Sequence, residues 1–156
     1  MVDDMLETLA KRIRGKRTVV LGVGNLLQGD DAIGPNLVDL LHGRVEATLI
    51  NGGEVPENYI SSIRAAQPEV VLIIMAIELG NEPGCIAILD ADRLRAIENF
   101  TRNPGLAFLV VMIQDGTGAE VLLVGVQPEA TSFATELSQP VHSTLRTLEE
   151  MLVDVF

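Results

Sequence analysis

An α/β fold, with a mainly parallel five-stranded sheet between layers of helix, is the class this sequence predicts. Three observations carry it. Apolar, β-branched runs alternate along the chain with stretches of helical period, the signature of repeated strand–helix units. One run, Val70–Met75, is apolar without interruption, as expected of a central strand buried on both faces. Segments rich in glycine, proline and acids follow the strand runs. A length of 156 residues suits a single domain spanning 1–156, with no repeat, low-complexity stretch or linker to divide it.

In chain order, Asp3 or Asp4 can cap a first helix striped by Leu6, Leu9 and Ile13 and stopped by Gly15. Its basic end (Lys11, Arg12, Arg14) suits a helix C-terminus. Thr18–Gly24 is the first strand and Asp31–His42 the next helix. Val45–Ile50 is the second strand, leading into the loop NGGEVPEN at 51–58. Asn58–Ala66 is helical and is ended by Pro68. Val70–Met75 follows, then Cys85–Leu89 as a short edge strand and Asp90–Asn99 as a short helix or turns. Asn103-Pro104 is a helix start, with Asn at the cap and Pro at the first helical position. The run Leu106–Ile113 fits a buried helix or a strand by pattern, and the cap together with Gly116 selects helix. Val121–Val126 is the last strand. Ser138 opens a final helix with Val141, Leu145, Leu148, Leu152 and Val155 on one face.

Composition narrows the functional classes. Hydrophobic residues make up 47% and aromatics only 3%, so the core is built of Val, Ile, Leu and Ala. A net charge of −11 argues against nucleic acid and anionic membranes as partners. The longest apolar runs are too short to span a bilayer. The first residues, MVDDMLETLAKRIRGK, place acids ahead of the apolar positions, unlike a secretory signal. The lone Cys85 forms no internal disulfide and reads as a small buried hydrophobe. These features point to a cytoplasmic protein.

The richest stretch is VVLGVGNLLQGDDAIGP, Val19 to Pro35: strand, glycine-rich loop, acidic pair, helix. Asp30 and Asp31 then sit at the carboxyl end of a strand, where open α/β sheets bind ligands. The loop is no dinucleotide fingerprint, because the third glycine position holds Leu27, and no Lys follows Gly29 as a phosphate-cradling loop requires. Two carboxylates favour a cation or a hydrogen-bond donor. Capping the next helix needs only one of them. Further strand exits carry Glu54 and Glu57, and Glu78. Neighbouring strands would bring all three exits to one pocket.

GVGNLLQGDDAIGP, NGGEVPEN, NEPG at 81–84 and VGVQPE at 124–129 together resemble the hydrogenase maturation proteases, over nearly the whole chain. That family trims the C-terminus of the large subunit of nickel–iron hydrogenases after nickel insertion. The resemblance implies a five-stranded twisted sheet between helices and, as partner, the large-subunit precursor. It implies no tightly held cofactor, nickel being part of the substrate. It places substrate contacts on the loop bearing Gly52, Gly53, Glu54, Glu57 and Asn58. It also implies a metal site of an acid, an Asp and a His. The acid falls on Asp31, the catalytic and metal-contacting position, with Asp30 and Glu78 as possible auxiliaries.

The other two positions depart from the pattern, holding Met75 and Arg102. A thioether is a weak, neutral ligand suited to soft ions. A guanidinium stays protonated and cannot coordinate. At about 4 Å and an effective dielectric of about 20, two like unit charges already repel by roughly 4 kcal/mol. Two readings follow: a processing endopeptidase acting on the nickel-loaded precursor, or a homologue that binds a hydrogenase subunit or another protein without cutting. The departures also suggest that Arg102 pairs directly with Asp31 in place of a metal.

Overall fold

The computed structural model describes residues 2–96, 104–133 and 136–156. Five strands form one sheet: β1 Thr18–Val23, β2 Thr48–Gly53, β3 Val70–Ala76, β4 Ile86–Asp90 and β5 Glu120–Val126. Their order is β2-β1-β3-β5-β4. β1, β2, β3 and β5 run parallel, and β4 pairs antiparallel with β5 at one edge. The helices α1 Val2–Ile13, α2 Ile33–Leu41 and α6 Gln139–Val155 lie on one face. The other face carries α3 Ile60–Ala65, α4 Ala91–Ala96 and α5 Pro104–Thr117.

Alternation along the strands builds the two cores. Val20, Leu72, Ile74, Leu122 and Val124 pack against α1, α2 and α6. Their sequence neighbours Val19, Leu21, Val71, Ile73, Val121 and Leu123 pack against α3, α4 and α5. A parallel sheet covered on both faces needs this double-sided apolarity, and the unbroken run in β3 supplies it at the centre. Each fully buried Val, Leu or Ile contributes roughly 1.5–3 kcal/mol of transfer free energy. The expected stripe of the last helix is buried at every position, from Val141 to Val155. Leu106–Ile113 is helical, inside α5, and lies outside the sheet. Among the described residues, no helix is long and apolar enough to cross a membrane.

Several boundaries depart from the sequence expectation. β2 starts at Thr48 rather than Val45 and runs into the glycines. Asn51 pairs with Gly22 and Gly53 with Val23, so the ladder with β1, not local β-preference, sets its ends. Gly29–Ala32 and Pro56–Tyr59 are single 3-10 turns, after which α2 and α3 begin. Asp3 and Asp4 lie within the first turn of α1 instead of capping it, still favourably placed against the helix dipole. Ser138 occupies the N-cap of α6 but makes no side-chain cap bond, because its hydroxyl is engaged elsewhere. Asn99, Arg102 and Asn103 lie outside the described residues.

Candidate functional site

Because β1, β2, β3 and β5 are parallel, their exit segments gather at one edge of the sheet. Glycines set how closely the pieces approach. A Cβ on Gly34, in the first turn of α2, would lie 2.3 Å from the Ile74 carbonyl oxygen and 2.7 Å from the Val23 nitrogen. One on Gly22 would lie 2.5 Å from the Gly34 oxygen. The start of α2 is thus pressed onto the ends of β1 and β3. Gly24, at φ +144°, admits no side chain: its Cβ would sit 1.9 Å from the Asp31 carbonyl oxygen. Its N–H donates to the Gly53 carbonyl at 2.9 Å, tying the first exit loop to the second.

The acidic pair divides its tasks. Asp30 is fully buried and accepts four hydrogen bonds from the β5–α6 segment. They come from Glu129 N–H at 2.8 Å, Ala130 N–H at 3.1 Å, Ser138 N–H at 2.7 Å and the Ser138 hydroxyl at 2.8 Å. Its own N–H donates to the Ala130 carbonyl at 2.8 Å. Burial pushes the carboxyl's pKa up, but the donors from Ser138, Glu129 and Ala130 together outweigh it and hold the group below the ordinary aspartate value. Asp30 is therefore a clamp between two loops and does not cap a helix. Asp31 is only half-buried, and its Oδ2 accepts the Asn25 N–H at 2.8 Å.

Beside this loop lies a cleft of about 200 Å³, lined by Val23, Glu54, Pro56, Glu57, Met75, Gly105, Leu106 and Leu109. Of the residues singled out from the sequence, it unites Met75, Glu54 and Glu57 with the first turns of α5. Its walls are apolar and its acids are exposed. Asp31, Gly52, Gly53, Asn58 and Glu78 do not line it. Gly52 is buried under Pro56, whose Cβ would lie 3.0 Å from an added Cβ, while Gly53 turns the chain at φ +56°. Asn58 is exposed on the 3-10 turn. These two glycines shape the loop that offers Glu54 and Glu57.

Glu78 faces the β5 exit. Its Oε2 accepts the Gln127 side-chain amide at 3.0 Å, and its Oε1 the Gly80 N–H at 3.2 Å. Gln127 is a residue that sequence reasoning passed over. It is 4% exposed and its Oε1 accepts the Leu79 N–H at 2.7 Å, pinning the β3–β4 loop to the end of β5. Its place in the VGVQPE motif was the available signal. Both histidines, His42 and His142, are exposed.

A metal ion does not fit the described donors. No group of three His, Cys, Asp or Glu side chains among the described residues could hold one. Met75, at the wall of the cleft, brings a soft neutral sulfur suited to Cu(I) rather than to a divalent ion. Arg102, and with it the suggested pairing with Asp31, falls outside the described residues.

Known proteins place this architecture. The model of the hydrogenase maturation protease family matches residues 35–155. The hydrogenase 3 maturation protease of Escherichia coli K12 is 34% identical over 137 residues, covering 86% of this chain and 87% of that protein. The crystal structure of a [NiFe] hydrogenase maturation protease from Thermococcus kodakarensis superposes with a TM-score of 0.86 at 30% identity, over 95% of this chain and 97% of the other. The solution structure of an Escherichia coli endopeptidase gives 0.78 at 31% identity, over 88% and 90%. With the match spanning both faces of the sheet and the strand-exit loops, this chain belongs to the hydrogenase maturation protease family.

Proposed function

We propose that the chain acts in nickel–iron hydrogenase maturation by engaging a large-subunit precursor at the strand-exit edge, and that it does so without metal-directed cleavage of the C-terminal extension. Family membership supports the partner. The observation that carries the second half is the donor set: one half-buried carboxylate, Asp31, beside a cleft whose wall at the second ligand position is the thioether of Met75. Metal-directed hydrolysis needs an ion held where it can polarise a carbonyl or activate water. Nickel in this setting is the substrate's own, and Asp31 is the one family position left to meet it.

A second reading, cleavage retained, has a specific observation in its favour. The loop that presents Asp31 keeps its full support, from Gly24 under its backbone to the Asp30 clamp behind it. Such a loop could still present Asp31 to a substrate-borne metal.

Complex formation is tested by mixing the chain with a nickel-loaded large-subunit precursor, with and without its C-terminal extension, and following co-elution by size exclusion. Co-elution with the extended precursor, weakened when the extension is removed, is the expected result. No complex with either form would overturn the assignment of partner.

A further inference from the structure

We propose that the strand-exit edge carries a docking surface, broader than the cleft, for a polypeptide segment that is apolar and bears lysine or arginine. Seven large hydrophobic side chains are exposed among the described residues. Five of them sit on exit segments: Leu26 and Leu27 after β1, Val55 and Tyr59 after β2, and Phe133 after β5. Leu27 is 59% and Phe133 70% exposed. The remaining two, Phe108 and Val111, are on α5, and none lies on a segment that enters a strand. A chain with 3% aromatic residues thus places its single tyrosine at this edge, in water. Isolated exposed apolar residues need no explanation, but several on adjoining loops are the composition of an interaction surface, with aromatic anchors at its heart.

Charge states what the partner carries. The exit segments 24–32, 54–59, 77–85 and 127–138 contain no Lys, Arg or His, and six carboxylates beyond Asp30 and Asp31. Among the described residues, paired cations gather at the opposite end, around the strand entrances: Arg12 on Glu120, Arg17 on Glu69, Arg44 on Glu149. An acidic partner meets repulsion at the exit edge. A cationic one is steered to it, its apolar side chains covering the exposed leucines and aromatics while its charges meet the acidic rim. The proposed function supplies only the partner's identity; the chemistry of the surface stands apart from it.

The test is amide chemical-shift mapping on the full chain with two synthetic peptides sharing the same leucines, one carrying lysines and the other glutamates. The lysine peptide is expected to shift amides of residues 24–32, 54–59 and 127–133, with affinity falling as salt rises. The glutamate peptide is expected to leave them in place. Leu27→Ser with Phe133→Ser, both at exposed positions, should weaken the lysine peptide about tenfold or more, as truncation of interface anchors does. Val111→Ser should leave binding unchanged. Equal binding of both peptides, binding of neither, shifts mapping elsewhere, or undiminished binding by the double variant would each overturn the proposal. A hydrogenase precursor that ignores a chain still taking the lysine peptide in this way would count against the proposed function while supporting the surface.

Discussion

Two adjacent carboxylates, Asp30 and Asp31, are sent into different roles by a single turn of 3-10 helix. Asp30 points inward and collects four donors from the far loop, while the half-buried Asp31 accepts the Asn25 N–H of its own loop. Removing the Asp30 carboxylate leaves those donors facing a void, so Asp30→Ala should cost about 3 kcal/mol in chemical denaturation. The pH dependence follows from the sign of its shift. The folded pKa lies below the unfolded one, so the stabilisation is fully present above the unfolded value of 3.8 and is lost as pH falls through the lower folded value. The stability gap between the wild type and Asp30→Asn should therefore be constant near neutral pH and close below about pH 4. The sequence showed that the pair exceeds what capping needs. It did not show that neither acid caps, because the donors to Asp30 lie roughly a hundred positions away and only the packed loops bring them together.

Elements were more legible than their ends. The apolar runs announced all five strands, since a two-sided core demands them regardless of partners. The start of β2 differs because Val45 and Ala47 are good strand or core residues locally, whereas the ladder with β1 continues through Asn51 and, past an irregularity, Gly53. The starts of α2 and α3 were blurred by 3-10 turns, which carry the same residues as a first helical turn. The exit loops are positioned by backbone approach, and no hydrophobic pattern reports that. Gly34→Ala tests it at the level of the element. The added methyl meets backbone atoms of both β1 and β3 below 3 Å, so α2 must lift from the sheet. A loss of about 2–4 kcal/mol, read as a lower melting temperature, is expected. A Gly34→Ala protein of unchanged stability would show that the helix start is not pressed on the strands as described.

At the scale of the molecule, the sheet sorts the chain into two unlike ends: one with paired cations, the other with acids, exposed apolar residues and the cleft. That the exit loops share one edge could be read from the sequence because parallel neighbours must do so, but the expected single pocket is not what forms: the cleft takes Glu54 and Glu57 and leaves out Asp31 and Glu78. The consequence of Met75 and Arg102 could be read only against the family, since neither residue looks unusual in its own stretch. Met75→Asp with Arg102→His should restore the missing donors. Calorimetry is expected to show stoichiometric nickel or zinc binding by the double variant and none by the wild type. A folded double variant that still ignores metal would mean that these positions are not the ligand positions.

The most direct measurement is the intact mass of a nickel-loaded large-subunit precursor after incubation with the wild-type chain, under conditions where the two form a complex. Recognition without metal-directed cleavage predicts a precursor of unchanged mass. Loss of its C-terminal segment, abolished by Asp31→Ala, would contradict the account and show that one carboxylate suffices for processing.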